Sequence, residues 1–82
     1  MDSRLVLIAK PECHLCENAR LIIAKVCTEL GETWSELSIL DDAQLADQYF
    51  ESIPVVLIDG KIHDKWRVNE QRLRAALSKK PS

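Results

Sequence analysis

Glycine is scarce in this 82-residue sequence, with only Gly31 and Gly60, and each falls at an expected element boundary. No glycine-rich loop remains to cradle a phosphate, which argues against a nucleotide-binding enzyme. Long apolar runs are missing as well. The longest, Leu5 to Ala9, is far shorter than the roughly 20 residues a helical membrane span requires. A basic excess is absent too: the formal charge is -2, so nucleic acid is not an expected partner. Near the N-terminus, Lys10, Pro11 and Glu12 interrupt the only apolar stretch, so no secretory signal is expected. Three cysteines are an odd number, which makes a secreted disulfide framework a poor explanation. The expected location is therefore a reducing cytoplasm, where paired cysteines point to redox or metal chemistry.

What is present reads as one domain over residues 1–82, with 46% apolar and 29% charged residues. Leu5-Val6-Leu7-Ile8-Ala9 is a continuous apolar run, as in a central strand covered on both faces. Pro11 ends it. From Cys13 onward Leu15, Ala19, Ile22, Val26 and Leu30 recur at helical spacing with Ile23 beside them, until Gly31 closes the helix. Residues 34–40 form a second strand candidate. Asp41-Asp42 starts a short amphipathic helix that should reach Glu51, carrying Ala43, Leu45, Ala46, Tyr49 and Phe50. Ile53 must be extended because Pro54 follows it. Val55 to Ile58 is a third strand, and Asp59-Gly60 turns it into a fourth over residues 61–66. Lys61 and Lys65 suit an exposed edge. Asn69 caps a last helix, with Val68 and Leu73 as a hydrophobic staple and Lys79 and Lys80 at its negative end before Pro81. The expected order is β-α-β-α-β-β-α, an α/β fold with a four-stranded mixed sheet.

Cys13-His14-Leu15-Cys16 stands where the first strand hands over to the first helix. Two thiols at that spacing can close a small disulfide ring, and the free N–H groups of a helix start favour a thiolate. Cys13 falls at the cap, more exposed and nearer those groups, so it is the candidate nucleophile; Cys16, one turn inside, would resolve the mixed disulfide. Lys10 and the adjacent His14 could support that thiolate or meet a substrate, or could be solvated side chains. Zinc is the competing chemistry. A structural site needs four ligands, yet Cys27 lies eleven residues beyond Cys16, about 16 Å along the same helix. No metal site is expected, and Cys27 reads as a buried, inert thiol. Haem attachment would need histidine at position 17, where Glu17 stands.

Taken together, the C-x-x-C after the first strand and this element order resemble the thioredoxin-like three-layer sandwich. Within it, Lys10-Pro11-Glu12-Cys13, Ser52-Ile53-Pro54-Val55 and Asp59-Gly60 are similar to segments of the glutaredoxin family. That resemblance implies a thiol–disulfide oxidoreductase acting on protein or small disulfides through Cys13 and Cys16. It also implies a cis Pro54 lying against the cysteines, with the backbone of Ile53 open to an extended substrate. Two departures stand out. His-Leu replaces the usual Pro-Tyr, and Asp64-Lys65-Trp66-Arg67 stands where glutaredoxins carry G-G-x-D, which helps hold glutathione. The expectation is a monomer with no tightly bound cofactor. Glutathione, another low-molecular-weight thiol or a reductase is the candidate reductant. Trp66 and Arg67 are candidates to line the groove, or an aromatic–cation pair covering the sheet edge. The alternative function is a non-catalytic binding module that docks a partner protein or a metal through the cysteine pair.

Overall fold

A computed structural model describes residues 4–79. The elements run β1 (Leu5–Ala9), α1 (His14–Leu30), β2 (Trp34–Ser38), α2 (Ala43–Tyr49), β3 (Val55–Ile58), β4 (Lys61–Lys65) and α3 (Glu70–Ser78). The four strands form one sheet in the order β2-β1-β3-β4. β1 runs parallel to β2, with Leu5 opposite Trp34, and antiparallel to β3, with Ile8 opposite Val55. β3 and β4 are antiparallel, with an irregularity between Val56 and Leu57. This is the thioredoxin-like α/β fold, with β1 and β3 at the centre and β4 at an edge, as its exposed lysines lead one to expect.

The inner strands explain the apolar runs. Leu7 and Ile8 point to opposite faces of the sheet, as do Val55 and Val56, and all four are fully buried. Both faces of the sheet centre are therefore covered. Ala19, Ile23 and Val26 from α1 and Leu73 and Leu77 from α3 complete the core. α1 and α3 lie side by side. Lys25–Glu70, Arg74–Glu70 and Arg74–Glu29 pair across or along them at the surface.

Local chemistry sets most boundaries where the sequence places them. The Asp42 carboxylate accepts from the Gln44 and Leu45 amides at 2.8 and 3.4 Å, and Asn69 accepts from the Arg72 amide at 2.9 Å. Gly31 closes α1 at φ 69, and Asp59-Gly60 turns at φ 52 and 82, the double positive that a two-residue hairpin of this kind requires. Three ends differ from expectation. β2 stops at Ser38, whose hydroxyl accepts from the Leu40 amide at 3.1 Å and folds the chain away; Leu40 is 73% exposed. α2 ends at Tyr49, and Phe50 faces solvent rather than a core. β4 ends at Lys65 because Trp66 takes φ 62 and leaves the ladder. Leu30, in the last turn of α1, is at the surface rather than in the buried stripe. Lys80 and Pro81 lie outside the described residues. Among the described residues no helix is long and apolar enough to cross a membrane.

Candidate active site

The chain leaves β1 through Lys10 and Pro11, and Glu12 adopts φ 54, a left-handed turn that swings it into α1. Cys13 follows as the N-cap with extended backbone, φ -124 and ψ 112. Its sulfur takes the place of a capping oxygen: the Cys16 amide donates to Cys13 Sγ at 3.3 Å. The Cys16 thiol donates to the same sulfur at 2.6 Å. Both contacts thus end on Cys13 Sγ. Both thiols are free.

The two cysteines differ in environment as their helix positions require. Cys13 is half-buried, whereas Cys16 is fully buried in the core cluster. Burial and, second, the hydrogen bond to Cys13 push the Cys16 thiol from 9.0 up to about 11, against a smaller opposing effect of the Lys10 backbone. That shift has a consequence for stability. Because the folded value lies above the unfolded one, the stabilisation is whole below about pH 9 and drains away as pH rises through about 11. Urea midpoints of the reduced protein from pH 8 to 11.5 should therefore fall more steeply than those of Cys16→Ser. Cys27 does not disturb the comparison. Its thiol, also pushed up by burial, is present in both proteins.

Pro54 joins the same end of the sheet. Ile8 pairs with Val55, so the residues that follow β1 face the residues that precede β3. The Ile53–Pro54 bond is cis, and both residues are buried. Neither backbone group of Ile53 has a hydrogen-bond partner among the described residues. Lys10 is exposed beside the motif. The His14 ring stands fully in solvent, with Nδ1 3.8 Å from the Glu17 carboxylate. Arg20, one turn beyond Cys16, is held by two 2.7 Å hydrogen bonds to Glu36 of β2. No group of three or more His, Cys, Asp and Glu is gathered to hold a metal among the described residues.

Trp66 and Arg67 also reach this end of the molecule. The Trp66 amide donates to the Pro54 carbonyl at 2.8 Å and its indole Nε1 to the Glu51 carbonyl at 3.1 Å. Both side chains line a groove against α1, together with Asn18 and Leu21. Asn18 and Leu21 are residues that sequence reasoning passed over. Leu21 lies off the buried stripe, and an exposed leucine alone signals nothing.

The profile of the Glutaredoxin-like domain (DUF836) matches residues 4–78. The chain belongs to this glutaredoxin-like family. An X-ray structure of the target protein XcR50 from X. campestris is similar to this glutaredoxin-like chain at 30% identity and a TM-score of 0.75. The match covers 94% of this chain and 99% of that one. Protein Ne2328 from Nitrosomonas europaea superposes with the same TM-score of 0.75 at 18% identity, over 93% and 92% of the two chains. Thioredoxin from Fasciola hepatica reaches 0.58 at 21% identity, over 94% and 81%, which speaks to the fold alone. An uncharacterized protein of Mycobacterium tuberculosis is 28% identical over 78 residues, 89% of this chain and 80% of that protein.

Proposed function

We propose that this glutaredoxin-like chain is a thiol–disulfide oxidoreductase, with Cys13 attacking and Cys16 resolving. The reading rests on one observation above all: the two sulfurs stand 2.6 Å apart with unequal exposure. The Cys13 thiolate attacks one sulfur of a substrate disulfide, breaking that S–S bond and forming a mixed disulfide. The departing thiolate takes up a proton. Cys16, having lost its proton, then attacks Cys13 Sγ and expels the second substrate thiol. Two electrons and two protons pass to the substrate, and Cys13–Cys16 is left as a disulfide. Two equivalents of a small thiol, or a reductase, restore the dithiol. Glutathione is one such thiol, and the Asp64-Lys65-Trp66-Arg67 segment makes it a weaker reductant here than for standard glutaredoxins.

A redox titration tests the reading. Protein equilibrated in thiol–disulfide buffers between about -120 and -300 mV, then quenched and alkylated, should lose its label at Cys13 and Cys16 together. The expected transition is a single two-electron step, about 30 mV per decade, with Cys27 unchanged. Failure of any Cys13–Cys16 disulfide to form across that range would overturn the proposal.

A further inference from the structure

Along α1 runs a groove of about 360 Å³ for which the dithiol chemistry has no use. Leu15, Leu21 and Ile22 of α1 form one wall; Trp66, Arg67 and Val68, between β4 and α3, form the other. Leu15, which lies between the two cysteines in the chain, is the groove's first lining residue on α1, and neither cysteine lines the groove. It follows α1 through residue 22, a length of about 10 Å at 1.5 Å per residue. The second wall is fastened to the cis-proline loop by the two Trp66 hydrogen bonds. A long apolar recess is thus built along the path away from Cys13.

Its openness says what kind of occupant it suits. Small-molecule sites close around most of a ligand, burying roughly 70–90% of its surface. Here Leu21 is 71% exposed and Trp66 54% exposed, so the recess is a shelf across which a chain can lie. About three extended residues, at roughly 3.3 Å each, match its length. Asn18, on the same face of α1, offers an amide that can bond a peptide group.

Arg67 supplies the charge. Among the described residues it is the one charged side chain lining the groove, and it takes part in no ion pair there. An unpaired guanidinium beside apolar walls is complementary to a carboxylate. We infer that the groove holds the stretch of a protein substrate flanking its disulfide. That stretch is extended and apolar, and carries an Asp or Glu that meets Arg67. The inference rests on the dithiol reading above and names the substrate class of the same site.

Peptides with one intramolecular disulfide test it, differing only in a three-residue flank: Leu-Val-Glu, Leu-Val-Lys or Gly-Ser-Glu. Pre-reduced protein in stoichiometric amount supplies the two electrons each peptide needs, so no other reductant enters. Reduction of the Leu-Val-Glu peptide is expected to be about tenfold faster than that of either of the others. Arg67→Glu should invert the ratio between the Glu and Lys flanks; Arg67 is exposed, so the fold should tolerate the change. Serine-for-cysteine versions, titrated by tryptophan fluorescence, should bind in the same order. Rates and affinities within twofold across the three flanks would overturn the groove assignment while the dithiol reading stands. An intact affinity order without any reduction would instead overturn the dithiol reading and leave the groove's preference standing. An equal gain from a free amino-acid disulfide bearing the same carboxylate would overturn the peptide as occupant.

Discussion

Cys13→Ser is expected to lower disulfide reduction by roughly a thousandfold or more, because the attacking sulfur is lost and a serine hydroxyl is a poor nucleophile without a base. Cys16→Ser should behave differently. The Cys16 amide that donates to Cys13 Sγ belongs to the backbone and survives the substitution. Cys13 can therefore still attack, but nothing within reach expels the second thiol. The variant should stop at a covalent mixed disulfide with its substrate, seen as an added mass on the intact protein and released by excess thiol. The asymmetry of burial predicts the same order: the half-buried sulfur meets the substrate, and the buried one meets only its neighbour. Full activity in Cys13→Ser would reverse the assignment of the nucleophile. No trapped species with Cys16→Ser would remove Cys16 from the resolving step.

The second large effect concerns stability. Leu7→Ala, on the central strand with no exposed surface, is expected to cost about 3–5 kcal/mol, from lost burial plus the cavity left behind. A domain of this size has only on the order of 4–12 kcal/mol in all. Leu7→Ala should therefore shift the urea midpoint by a large fraction of the whole transition. Leu40→Ala removes the same atoms from a side chain 73% exposed and should change stability by no more than about 0.5 kcal/mol. Comparable losses in the two variants would mean that Leu40 is packed in solution.

That contrast also shows how far the sequence speaks for the fold. Leu7 and Leu40 are the same residue type near a strand, and only the continuous apolar run around Leu7 distinguishes them in advance. Strong local signals were readable. Asp42, Asn69 and Asp59-Gly60 each satisfy backbone groups within a few residues, so their effect does not depend on distant contacts. The placement of Cys13 at the cap and Cys16 inside follows from the same local logic. The end of β4 did not announce itself. Trp66 adopts a conformation that no tryptophan prefers, held there by Pro54 and Glu51 from elsewhere in the chain. Glu12 is a similar case, a non-glycine left-handed residue that lets the chain enter α1. His14 was legible only as a pair of alternatives, and its ring stands in solvent with Glu17 one helical turn on. The groove was hidden for a related reason: its two walls are more than forty positions apart, and each looks unremarkable alone.

Arg4 makes a different kind of statement about this molecule. Its guanidinium bridges Asp59 at the β3–β4 turn and Glu32 beyond α1, each at 3.2 Å, and donates to the Leu77 carbonyl in α3 at 3.0 Å. Those contacts gather the far ends of β1, β3, α1 and α3 at the pole opposite Cys13. Arg4 and Leu77 are also near the two ends of the described residues, so those two ends meet at that pole. A domain fused or a surface tethered through either end would hold the protein by its back. The half-buried Cys13 sulfur would still lie at the opposite pole, free to meet a second molecule.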